Sequence, residues 1–146
     1  MKDKEAKIQI KRVRALQKKW HDIIGLRQWR IDYIYSDQDH PSGQGSYSPE
    51  LSHNWVVPMA TNCDPYYLKG SIVFYLPNLV ELSDDELEEG YGHELMHIML
   101  SLMRTDKKSK EEEQVATKLA LAFIWVSEHF EKQGRVKLTK EVKRVK

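Results

Sequence analysis

The chain has 146 residues, 40% of them hydrophobic and 31% charged, with a formal net charge of +1, a balance that argues against disorder and leaves room for one domain around one core. No apolar run approaches the roughly 18 residues that a membrane span requires, and the charge-dense segment from Met1 to Lys19 lacks the apolar stretch of a signal peptide. A lone Cys63 cannot form an internal disulfide, which fits a reducing compartment and makes the cytoplasm the expected location.

The charge is unevenly placed. Residues 1–19 hold eight basic and two acidic side chains, and residues 135–146 hold six basic and one acidic. Nine basic and nineteen acidic residues remain between Trp20 and Gly134, a net of −10. Basic ends on an acidic body suit solvated faces better than a nucleic-acid groove. The expected organisation is a single domain over residues 1–134 followed by a basic C-terminal tail, 135–146.

In chain order, Ile8, Val13, Leu16, Trp20, Ile23 and Ile24 predict one apolar helical face between Lys4 and Ile24, with Gly25 as its stop. Trp29, Ile31, Tyr33 and Tyr35 alternate with Arg30, Asp32 and Ile34 as expected of a strand. Ser36 to Trp55 reads as loop, rich in turn residues. Val56 to Thr61 reads as a short strand that Pro58 confines to an edge. Gly70 to Leu76 alternates again and ends at Pro77. Ser83 with Glu86 forms a capping box, and acidic residues 84–86 suit the positive end of a helix that should reach about Met103. Ser109 with Glu112 forms a second box, opening a helix expected to run to about Gln133 and stop at Gly134. The order of elements predicts an α+β fold with a small sheet of two to four strands.

The segment His93-Glu94-Leu95-Met96-His97 carries the chemistry. Residues four apart share a helical face, so both imidazoles can point at one ion, as zinc requires. Glu94 lies one step around the helix, where its carboxylate can take a proton from attacking water and later pass it to a leaving amine. Leu87, Tyr91, Leu95, Ile98 and Leu102 define the apolar face, and Met96 and Leu100 flank the histidines. The helix is therefore expected to be buried nearly all round after Glu94, where polar groups are costly without a partner. Gly90 and Gly92 precede the motif and suit either close approach of another backbone, for which the strand at Gly70–Leu76, with an edge able to bind peptide, is one candidate, or a locally distorted or late-starting helix.

A catalytic site needs a third protein ligand. Residues 100 and 103 are Leu and Met, so no third histidine follows in the HExxHxxGxxH manner. Ala116, Leu119, Ala120 and Phe123 mark the buried stripe of the next helix, and Glu113 lies on that stripe. Glu112 is the reserve, being assigned to the capping box, and Glu111 points away. His129 lies sixteen residues past Glu113, about 24 Å along the helix, too far to share the site. Tyr66, Tyr67, His40 and His53 come from loops that could line a cleft, although no spacing singles one out as an oxyanion-stabilising group. Tyr91, Trp29, Trp55 and Trp125 read as core, His21 as partly exposed, and Cys63 as lacking the basic surroundings of a nucleophilic thiol.

The HExxH segment followed by Glu113-Gln114-Val115-Ala116-Thr117-Lys118-Leu119-Ala120 resembles the small gluzincins, among them the ImmA/IrrE-like and phage metallopeptidases. The resemblance spans about Ser83 to Phe123. It implies a zincin-like fold, zinc held by His93, His97 and Glu113, and peptidase activity on a peptide or protein substrate in a bacterial or phage setting. Two features depart from the pattern. Thr117 stands where many gluzincins carry an Asp or Asn that orients a histidine, and no helix-turn-helix segment of the kind some relatives carry is present. The competing expectation is a non-catalytic regulatory or adaptor protein on a zincin scaffold, its zinc structural or vestigial.

Overall fold

In a computed structural model, residues 3–24, 26–38, 58–103 and 110–144 are described. They form α1 (Asp3–Ile23), β1 (Arg30–Ser36), β2 (Met59–Asp64), β3 (Lys69–Tyr75), α2 (Asp84–Leu100) and α3 (Lys110–Arg144), with short 3-10 turns at Leu76–Leu79 and Ser101–Met103. The architecture is α+β: three helices with one small mixed sheet.

In α1, Gln9, Val13 and Trp20 are buried, and Ile24 continues the same stripe just past its end. Steps of four and seven residues keep them on one face. Ile8 departs from the expected face and is 50% exposed. Five residues before Val13, it sits about 140° away around the helix, and Gln9 takes the inward position instead. Ile23 is likewise exposed. Arg12 ties this helix to the start of α2: its guanidinium donates to the carbonyls of Leu79 and Leu82, to Gln9 Oε1 and to Asp84 Oδ1.

The sheet order is β1-β3-β2, with β1 parallel and β2 antiparallel to β3. Ile72 and Phe74 of this central strand are fully buried, as a strand paired on both sides should be. Here the structure corrects one expectation. The Gly70–Leu76 strand has both edges paired within the sheet and offers neither to a peptide; among the described residues the outer strands are β1 and β2. The edge position expected from Pro58 is observed for β2, which starts at Met59, one residue after the proline.

One sheet face packs on α1 and α2. Gln17 Nε2 donates to Tyr35 Oη at 3.1 Å, and the hydroxyls of Tyr33 and Tyr91 meet at 3.2 Å. The Tyr91 ring lies beside Phe74, 6.1 Å between centroids. Burial holds both tyrosines neutral above the ordinary phenol range; their mutual hydrogen bond raises Tyr91 further and partly offsets the rise at Tyr33.

On its other side, α2 packs against α3, which buries Ala116 and Ala120. This last helix runs through Gly134 to Arg144 instead of stopping at Gln133. A glycine inside a helix costs about 1 kcal/mol relative to alanine. It terminates a helix only where the chain then turns left-handed, and Arg135 to Arg144 is rich in good helix formers. Trp125, expected in the core, is 64% exposed, because Ala116, Ala120 and Ile124 face the core and α2 and Trp125 lies one step, about 100°, around the helix from Ile124.

Candidate metal centre

The site is set by where α2 begins. Ser83 Oγ accepts from Glu86 N at 3.2 Å, and Glu86 Oε2 accepts from Ser83 N at 2.8 Å, closing the expected capping box. The bonds from the Ser83 backbone and hydroxyl hold the Glu86 carboxyl below its usual range. With the start fixed, the phase of residues 90–97 follows.

Two glycines let neighbours close in. A Cβ on Gly90 would stand 3.2 Å from Met59 Cε of β2, and one on Gly92 would stand 3.4 Å from Ala120 Cβ of α3. The close neighbours are thus the Met59 side chain and the α3 helix, not β3. Thr61 Oγ1, two residues along β2, donates to the Glu94 carbonyl at 3.4 Å. Two strand residues therefore match one helical turn, with β2 and α2 running in the same direction.

His97 and Glu94 are buried and His93 is half-buried. The expectation of burial nearly all round is met from Glu94 to Ile98, and Glu94 Oε2 is shut off from bulk solvent. Leu102, placed by periodicity on the apolar face, lies past the end of α2 and is exposed.

His93, His97 and Glu113 converge and could hold a metal ion. His93 Nε2 lies 2.9 Å from His97 Nε2; Glu113 Oε2 lies 3.2 Å from the first nitrogen and 3.4 Å from the second. The outer nitrogens are engaged as well. His93 Nδ1 meets Thr117 Oγ1 at 3.0 Å, and His97 Nδ1 meets Glu112 Oε1 at 2.9 Å.

These contacts fix the tautomers. The Thr117 hydroxyl gives its hydrogen to the Glu113 carbonyl at 2.9 Å, so it accepts from His93 Nδ1–H. An ionised Glu112 can only accept, so His97 Nδ1 also carries the hydrogen. Both Nε2 lone pairs then face each other at 2.9 Å with a carboxylate oxygen beside them. Three acceptors this close repel unless a proton or a metal cation lies among them. For bonds of about 2.0–2.1 Å, each edge of a tetrahedral face is roughly 3.3–3.4 Å; the two separations from Glu113 are close to it, and the nitrogen–nitrogen separation is shorter. Two imidazoles and one carboxylate suit zinc and other first-row divalent ions.

The structure thus brings together the expected triad and adds a contact for Glu112 that the sequence does not predict. Its carboxylate engages His97, and Ser109 lies outside the described residues. Thr117 does reach a histidine, although it is not a carboxylate. His129 is exposed and stacks on Trp125 at 5.2 Å, away from the site. Tyr66 and Tyr67 are exposed in the turn between β2 and β3, Cys63 is half-buried on β2, and His40, His53 and Trp55 lie outside the described residues. In comparisons with protein-family models, curated proteins and solved structures, nothing matched this chain.

Proposed function

We propose that the chain is a zinc-dependent metallopeptidase of the gluzincin kind, with His93, His97 and Glu113 holding the ion and Glu94 acting as general base. The observation that carries this reading is the closeness of three lone-pair donors, two of them imidazole nitrogens 2.9 Å apart. Glu112 and Glu113 set carboxylates against the two imidazoles, a field that favours a cation. When bound, zinc supplies Lewis acidity toward a carbonyl oxygen and toward water.

The residues of the chain do the rest. Glu94 follows His93 on α2, with its main-chain carbonyl met by Thr61 of β2. Its carboxylate takes the proton of the attacking water and delivers it to the departing amine as the peptide bond breaks. Burial keeps that carboxylate from exchanging its proton with bulk water before delivery. The test is zinc content together with peptide cleavage, for the parent and for Glu94→Gln. The parent should carry one zinc per chain and cleave, and Glu94→Gln should keep the zinc while losing turnover by about 100-fold or more. Equal cleavage by both proteins rejects the mechanism.

A second reading, an adaptor on the same scaffold, draws on Trp125 and Phe130, which α3 leaves 64% and 68% exposed. Partner capture that survives loss of zinc and of Glu94, in a protein without peptidase activity, would favour it.

A further inference from the structure

We propose that Glu112 is a positioning residue: it holds the His97 ring with Nε2 turned toward the metal, and it does so more strongly than Thr117 holds His93. This rests on the reading of His93, His97 and Glu113 as ligands. A neutral imidazole has one N–H and one lone pair, so the partner of one nitrogen decides what the other can bind. For His97 that partner is a carboxylate at 2.9 Å. The side chains of His97 and Glu112 are only 2% and 11% exposed, so water competes little for the bond and the charge acts at close range.

For His93 the partner is a neutral hydroxyl on an exposed residue, and that hydroxyl is already committed to the Glu113 carbonyl. A charged acceptor makes the ring a better donor through its far nitrogen than a neutral acceptor does. Consecutive residues of α3 therefore grip His97 on both sides, Glu112 at Nδ1 and Glu113 Oε2 3.4 Å from Nε2. The orienting carboxylate sits immediately before the ligand glutamate, while the position four residues after it holds Thr117.

The experiment measures zinc dissociation constants by competition with a chromophoric chelator for the parent, Glu112→Gln, Glu112→Ala and Thr117→Val. Melting temperatures of the metal-free proteins are recorded alongside. Glu112→Ala should weaken zinc by about 10- to 100-fold. Glu112→Gln, whose amide oxygen still accepts from Nδ1 without the charge, should recover part of that loss. Thr117→Val should cost less than Glu112→Ala.

Zinc binding by both Glu112 variants at parental affinity overturns the proposal, whatever happens to metal-free stability, and the parent's own binding then leaves the ligand reading intact. A larger loss in Thr117→Val than in Glu112→Ala also overturns it. Absence of zinc binding by the parent removes both the ligand reading and this inference. If Glu112→Ala does not fold, Glu112→Gln decides: weaker zinc binding with metal-free melting unchanged supports the proposal, and parental affinity overturns it.

Discussion

Gly92 is a point of close approach between the two helices that make the site, and substituting it tests whether their spacing matters. An added Cβ would stand 3.4 Å from Ala120 Cβ, 3.9 Å from Ala120 Cα and 4.0 Å from Ile124 Cδ1, which is ordinary contact. Gly92→Ala therefore gains the helix propensity of alanine, about 1 kcal/mol, with little steric cost. That corresponds to a rise of roughly 2–4 °C in melting temperature for a chain of this size. Gly92→Leu is different. Each further carbon reaches about 1.5 Å beyond the last, so its branched end presses on Ala120 or Ile124 and drives α3 outward. Overpacking of this kind costs about 1–3 kcal/mol. The displacement also carries Glu113 and Thr117 away from His93, so zinc affinity should fall with stability. Urea denaturation of the metal-free proteins and chelator competition read the two effects separately. Equal stability and equal zinc affinity in Gly92→Ala and Gly92→Leu would refute the argument that this contact sets the site.

Arg12→Ala should destabilise the metal-free protein by about 2 kcal/mol, since it strips partners from the Leu79 and Leu82 carbonyls. Asp84→Ala, removing only the exposed end of the same network, should cost no more than about 0.5 kcal/mol in urea titration. Parity between those two variants would show that the ion pair, not the carbonyl contacts, matters. Tyr33 and Tyr91 are held neutral above the ordinary phenol range. Their contribution is whole below about pH 10 and is lost as pH rises toward the folded-state values; Tyr91→Phe should flatten this alkaline decline in thermal melts. At the other extreme, Glu86 is held below its usual range by Ser83. The cap's share of stability is present above the ordinary carboxylate pKa and is lost as pH falls through the lowered one, a slope that Ser83→Ala should reduce. Zinc at a thousandfold excess over its dissociation constant should stabilise the parent by about 4 kcal/mol, and calorimetry with no upward shift on adding zinc would count against the centre.

Local signals were the most readable part of the sequence. The Ser83–Glu86 box, the alternation of the β1 and β3 segments and the four-residue spacing of the histidines each depend on near neighbours, and each reappears in the structure. Helix phase also placed Glu113 beside the histidines, because Ala116 and Ala120 mark the stripe that faces α2. What failed depended on partners distant in sequence. Alternation cannot say which strand lies in the middle, so β3 was mistaken for an available edge. The contact of Glu112 with His97 could not be read from near neighbours, because it depends on the approach of α3 to α2. Trp125 is apolar in a helical pattern, yet it lies one step around α3 from Ile124, which meets Gly92 of α2, and so is turned to solvent. Gly134 carries a stop signal that the residues after it override.

The Gly92–Ala120 contact has a consequence for ion choice on the proposed reading. The distance from two imidazoles on one helix to a carboxylate on the next is fixed by how near the helix axes come, and small side chains at the crossing keep them near. Discrimination between smaller and larger divalent ions would then reside in two residues that never touch the ion. Side chains at position 92 larger than alanine would widen that gap and retune the radius the centre accepts while leaving its donor atoms unchanged.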